Sequence, residues 1–418
     1  MTGEAQRRKP IGPRLNRWLV SGAGSTLVLT ILFLHMLLLG MTQLVAPLYS
    51  LALGASQVVL GVVVGAFGVA GILLSILSSV LSDYLGRRQM ISVSFVFWIG
   101  AGAVSLSAPP FLWLVWGQVL AGVADLCLWV AAMTYLTEIT PQGKHAEILS
   151  LGTGLMGLGL IVGPALGGLI GRFIGFQPAF TLVVLLGILG LILSYKLPNT
   201  KLPTAERGAF LKQLFLSHRG AFVLVRRNRP MRMAILVMML GTAGWMAVGR
   251  SFYLAYLNHL GFSTEVIGLL TTLRASAMTL AQFGFAFLAN HLGAVVTTLS
   301  GLAIGGLALT LTPFLTTAPI LALVGCLGSG ADRLRIPGMF TMIAEGTDQD
   351  SRGLAVALLN VAWAATNTVL PPVLGMIVER TALSVSFLLV GPLVAISSIL
   401  LYVWNQRVAS ELSGPRKI

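Results

Sequence analysis

The chain is 418 residues long, 56% hydrophobic and only 10% charged, with a mean hydropathy of +0.90. Soluble domains carry about 25% charged residues, so a water-solvated surface is excluded, and with it a soluble enzyme, a nucleic-acid-binding domain or a disordered scaffold. At about 20 apolar residues per spanning helix the length fits about twelve membrane spans, and the position of the +14 net charge decides its meaning.

Residues 1–21 form a basic cytoplasmic segment with Arg7, Arg8, Lys9, Arg14 and Arg17. The apolar run that follows, 22–46, exceeds the roughly 7–15-residue core of a signal peptide and reads as an uncleaved first span. Further runs at 57–80, 90–107, 111–136, 148–170 and 177–197 complete a six-helix bundle over 22–197. A linker, 198–230, follows; its Phe210, Leu211, Leu214 and Phe215 mix with Lys212, Arg219, Arg226 and Arg227, which suits a basic amphipathic surface helix or a solvated loop. Runs at 231–256, 264–289, 294–314, 318–343, 353–377 and 383–404 make a second bundle over 231–404, and 405–418 is a cytoplasmic tail. The expected fold class is an all-α membrane protein of twelve transmembrane helices in two pseudo-symmetric bundles.

With the N-terminus inside, 21 of the 27 lysines and arginines fall on the cytoplasmic side, against Arg172, Arg250 and Arg380 on the other. Cytoplasmic loops retain positive charge, so both termini are expected in the cytoplasm, in a plasma membrane (the inner membrane of a bacterium). The net charge is then a topology signal, and no nucleic-acid partner is expected. Cys127 and Cys326 each lie alone in an apolar run; packing is their reading, with no disulfide framework, metal site or cofactor.

The chain repeats itself at a constant offset of 207: Gly54 and Gly261, Gly61 and Gly268, Gly86 and Gly293, Asp125 and Asp332, Glu138 and Glu345, Pro164 and Pro371, Gly168 and Gly375. Six helices duplicated in parallel place a pseudo-twofold axis along the membrane normal and a substrate site between the halves.

Between the second and third spans runs Ser79-Val-Leu-Ser-Asp83-Tyr-Leu-Gly86-Arg87-Arg88. It resembles the loop signature of the major facilitator superfamily, with Ser79 in place of a glycine and Tyr84 in place of a basic residue. Gly86 supplies the backbone freedom of a tight turn. Tyr135-Leu-Thr-Glu138 resembles the acidic helix end of that family, and the resemblance implies a cytoplasmic latch of Asp83, Arg87 or Arg88 and Glu138. In the second half the loop has decayed to Asn290-His-Leu-Gly293, so the cytoplasmic gate is expected to be asymmetric. Gly159-Leu-Ile-Val-Gly163-Pro164-Ala-Leu-Gly167-Gly168 resembles the glycine-proline signature of the family's antiporters, which implies helix bending and close packing and favours export. Gln118 stands where the family carries an arginine, four residues before Gly122. Gly152-Thr-Gly154-Leu-Met-Gly157 matches a dinucleotide fingerprint, but it lies within a span with no strand before it and reads as helix packing.

A charge at the bilayer centre costs roughly 2.5–3.5 kcal/mol on insertion scales, so each one needs a partner, water or a function. His35, Asp125, Arg274, Asp332, Arg333 and Arg335 are the central candidates, with Arg250 nearer the outer side. The resemblance implies that spans 1, 4, 7 and 10 line the cavity while 3, 6, 9 and 12 face lipid. Asp125, His35 and Asp332 are the candidates for proton coupling; Asp332 and Arg335, three apart on one helical face, also suit an internal ion pair. Arg250, Arg274, Arg333 and Arg335 offer a positive lining for a carboxylate or phosphate, and Gln118, Asn360 and Asn367 offer neutral hydrogen bonds. The expected protein is a secondary transporter working by alternating access, a proton-coupled exporter of a small organic anion or amphiphile. Import of an organic anion or siderophore-like metabolite by symport is the alternative, and a non-transporting receptor or membrane-embedded enzyme is a remoter one. No nucleophile–base pair or ligand cluster supports catalysis. Protons, lipid and a small molecule are the expected partners of a monomer.

Overall fold

The computed structural model describes residues 23–108, 110–140, 145–198, 225, 228–347 and 352–413. The first half is α1 (Ala23–Ala52), α2 (Gln57–Leu85), α3 (Arg87–Leu106), α4 (Phe111–Ile139), α5 (His145–Phe173) and α6 (Phe176–Tyr195). The second begins with α7 (Arg229–His259), which is α-helical to Thr242, π-helical over Ala243–Phe252 and α-helical again from Tyr253. It continues with α8 (Thr264–Leu292), α9 (Ala294–Leu311), α10 (Ala318–Arg333 and Arg335–Gly346), α11 (Arg352–Arg380) and α12 (Leu383–Ser413). No strand occurs among the described residues. The expected surface helix of the linker lies outside them.

Eleven of these helices are long and apolar enough to cross a membrane. The remaining one, α10, is interrupted at Leu334. Pro337 accounts for the break: it has no N–H for the carbonyl of Arg333, and its ring crowds that turn. The bundle's outside is apolar, with Leu73, Phe173, Leu280 and Phe314 each about 70% exposed. Such a belt suits lipid and would be unfavourable in water.

The duplication extends to the helix boundaries. Gln57–Leu85 recurs as Thr264–Leu292, and His145–Phe173 as Arg352–Arg380, each displaced by 207. Phe111–Ile139 recurs as the two pieces of α10, from Ala318 to Gly346. The turn glycines match as well: φ is 84° at Gly54 and 79° at Gly261, 90° at Gly86 and 86° at Gly293. A side chain at any of the four would be strained, which is why glycine stands there twice in each half.

The halves meet where α2 packs along α11 and α5 along α8. These contacts are made by backbone. A Cβ on Gly268 would stand 3.0 Å from the Pro164 carbonyl oxygen, and one on Gly168 would stand 3.0 Å from that of Thr264. The symmetry mates repeat both contacts, Gly61 against the Pro371 carbonyl and Gly375 against that of Gln57. Close backbone approach of this kind is what associates helices where lipid cancels the hydrophobic driving force. The same face carries an Arg172–Glu265 ion pair at 3.2 Å. Deeper along the interface, Thr272 donates to the Ile161 carbonyl at 3.2 Å and Phe67 meets Trp363 edge to face. Gly159, Gly163 and Gly167 instead seat α5 on α1, with Pro164 against Gly40. Gly157, the end of the fingerprint-like run, packs against Thr279 of α8.

Gly168→Leu is expected to prise the halves apart and destabilise the folded protein by about 1–3 kcal/mol, the usual cost of overpacking. Gly154→Leu, where a Cβ meets nothing within 4 Å, leaves stability unchanged. Thermal unfolding of the two variants in detergent checks the contrast.

Candidate functional site

Asp125 sits midway along α4 and accepts a hydrogen bond from His35 Nε2 of α1 at 3.0 Å. His35 is fully buried, and its Nδ1 accepts from Trp98 Nε1 of α3 at 3.1 Å. An indole nitrogen only donates, so Nδ1 carries no hydrogen and the imidazole is the neutral Nε2–H tautomer. Asp125 is then the acceptor at the end of a fixed Trp98–His35–Asp125 chain. The Asp125 side chain is 22% exposed, and its charge reaches Arg250 of α7, in the other half.

The second-half counterpart differs. Asp332 accepts from Arg335 Nε at 3.1 and 3.2 Å, and Arg335 also reaches Met238 Sδ at 3.6 Å. Both residues are buried, beside the break in α10. Arg333 is close enough to feel both charges, and its Nε has no partner among the described residues. Arg274 of α8 is 5% exposed; its Nε donates to Ser329 Oγ at 2.9 Å and its Nη1 to the Gly249 carbonyl at 2.6 Å. Its guanidinium lies 4.1 Å from the Tyr253 ring centre and 4.9 Å from that of Trp245. Gly249 belongs to the π-helical stretch, a winding that frequently marks functional sites.

The four arginines of the expected positive lining are therefore not one cluster. Arg335 is committed to Asp332, Arg274 is held inside the C-terminal bundle, and Arg250 lies within electrostatic reach of Asp125. Gln118 is buried with its Oε1 unpartnered among the described residues; Asn367 is buried on α11 and Asn360 partly so. Of the expected latch, Gly86 and Arg87 are buried at the start of α3, and Arg88 lies over the Tyr195 ring at 5.7 Å. The side chains of Asp83 and Glu138 fall outside the described residues. Cys127 and Cys326 are free thiols, and no group of His, Cys, Asp and Glu with metal-binding geometry occurs among the described residues. Sequence reasoning missed Trp98, Tyr253 and Ser329. Trp98 lies on a span assigned wholesale to lipid, although it is 0% exposed.

The family model of the Major Facilitator Superfamily matches residues 28–263 and 244–417. The Uncharacterized MFS-type transporter YqjV of Bacillus subtilis is 27% identical over 236 residues, 55% of this chain and 56% of that protein. The chain thus spans about half the length of that relative. Tetracycline resistance protein, class C, of Escherichia coli is 26% identical over 306 residues, 70% of this chain and 73% of that one. The crystal structure of a mutant of the nucleoside transporter NupG superposes with a TM-score of 0.75 at 15% identity, covering 90% of this chain and 99% of that one, which speaks to fold alone. With both six-helix halves inside the family match, this integral membrane protein belongs to the major facilitator superfamily, a family of small-molecule transporters.

Proposed function

We propose that the protein is a secondary active transporter that works by alternating access and exports a small amphiphilic compound or organic anion in exchange for protons. Its termini lie in the cytoplasm, on the reading of the positive loops. The observation that carries the coupling is the Trp98–His35–Asp125 chain: His35 is pinned in one neutral tautomer, so a proton arriving from the exposed side has Asp125 as its acceptor. Ionised, Asp125 attracts Arg250 across the two halves; protonated, it releases that attraction. One proton thus biases the relative position of the halves, and a ligand favouring one arrangement shifts the same equilibrium. The direction is supported by the relatives named for tetracycline resistance, since a membrane transporter confers resistance by moving a compound outward. The glycine-proline run of α5 agrees with that direction.

In proteoliposomes loaded with a pH-sensitive dye, tetracycline is the first amphiphile to try. A transported amphiphile is expected to drive proton counter-movement in the wild type and at least tenfold less in Asp125→Asn. Equal proton movement in the variant removes Asp125 as the carrier. Nitrogen-15 spectra of histidine-labelled protein test the pinning separately. His35 is expected as the Nε2–H tautomer alone in the wild type, and as a mixture of both neutral tautomers in Trp98→Phe.

A further inference from the structure

The α5–α8 seam is closed along only part of its length. On the orientation proposed above, its outer end begins with the Arg172–Glu265 pair. Moving inward, a Cβ on Gly171 would stand 3.1 Å from Thr264 Cγ2, Gly168 meets Gly268, Ile161 accepts from Thr272, and Gly157 packs on Thr279. One turn nearer the cytoplasm the contact ends. A Cβ on Gly154 meets nothing within 4 Å. Phe283, one turn beyond Thr279, is 56% exposed, and Ala286 and Asn290 after it are exposed as well. Residues three and four apart share a helical face, so these are the positions that would continue the seam. The two helices part there, and the cleft between them opens toward the cytoplasm.

The opposite end is sealed. Leu60 and Val64 of α2 and Ala255 of α7 form a buried cluster across the two halves, with Leu51 of α1 and Leu383 of α12 packed against it. Leu44 and Leu48 of α1 are buried in the core of the other half. Arg172 and Glu265 stand at the rim of this seal, their side chains 54% and 31% exposed. The repeat puts Glu379 in the place of Arg172 and Val58 in that of Glu265, so the symmetry-related position cannot form the pair. Backbone packing and the apolar cluster supply the seal, and the pair adds an attraction that exists only while the outer ends are together. An exposed ion pair changes an equilibrium by a few-fold, which biases two arrangements of similar energy without locking either.

We propose that Arg172 and Glu265 form an outer latch that favours the cytoplasm-open arrangement and parts when the outer side opens. The latch rests on the alternating-access reading and deepens it, but it does not require Asp125 to be the proton carrier.

Two cysteine reporters test it in the full-length protein, on a Cys127→Ala, Cys326→Ala background in lipid nanodiscs, where maleimide reaches both faces. Leu60→Cys reads the outer seal and Phe283→Cys the cytoplasmic opening. With the pair intact, Phe283→Cys is expected to react fast and Leu60→Cys slowly. Glu265→Gln is expected to speed labelling of Leu60→Cys about two- to fivefold and to slow that of Phe283→Cys. In 1 M NaCl, where the screening length is about 3 Å, the intact pair is expected to shift the same way and Glu265→Gln to shift no further. Arg172→Glu combined with Glu265→Arg is expected to restore the original rates, and neither reversal alone is. Unchanged rates in Glu265→Gln, both reporters reacting faster, or a double reversal no better than the singles each overturns the latch. Asp125→Asn separates the two possible failures. Reporters that move in opposite directions in Asp125→Asn but not in Glu265→Gln overturn the latch alone, and reporters that move in neither overturn alternating access with it.

Discussion

Two helix pairs, α2 with α11 and α5 with α8, hold the molecule together, and each is held by glycine against backbone. In lipid there is no hydrophobic gain from bringing two apolar helices together, so the contact must come from atoms that fit. Gly61, Gly168, Gly268 and Gly375 provide that fit four times over. The pseudo-twofold axis makes the two seams equivalent, so neither half can tilt at one seam without disturbing the other. The ion pair of Arg172 and Glu265 lies on the same face as these contacts and, among the described residues, adds a polar clasp to one seam.

Within that shared scaffold the two halves have diverged chemically. The first keeps a buried Trp–His–Asp chain whose acid is partly exposed. The second pairs its aspartate with an arginine three residues away and holds another, Arg274, on Ser329 and the Gly249 carbonyl. Identical helix positions therefore carry an aspartate bonded to a histidine of another helix in one half and an aspartate paired within its own helix in the other. Exchanges such as Trp98 against Gly305, Phe67 against Arg274 and Gln118 against Gly325 leave the boundaries of the helices that form the seams in register.

Most of the architecture was legible in the sequence because membrane proteins write it plainly: long apolar runs, turn glycines and a constant offset fix the spans and their symmetry. The intramembrane charges were legible for the same reason, since each is conspicuous in an apolar background. Their partners were not. Whether Arg274 meets a carboxylate or the rings of Trp245 and Tyr253 depends on helix rotation and tilt, which periodicity does not encode. The Trp98 contact was hidden for a different reason. A tryptophan on a span assigned to lipid carries no mark in the sequence that it points inward to a histidine 63 residues away. The broken α10 was in principle readable from Pro337, while the π-helical stretch of α7 has no comparable cue.

That stretch has a geometric consequence. A π-wound segment turns less per residue than an α-helix, so every side chain after Ala243 on α7 is advanced around the helix axis at a different angle from its duplicate on α1. Arg250 and Gln43 share a place in the repeat, as do Tyr253 and Ala46, yet their azimuths differ. Residue-for-residue correspondence between the halves therefore survives in number and fails in direction along this one helix. The protein has reoriented a whole helical face without inserting or deleting a residue, and a substitution made on α7 by analogy with α1 would alter a different wall of the molecule.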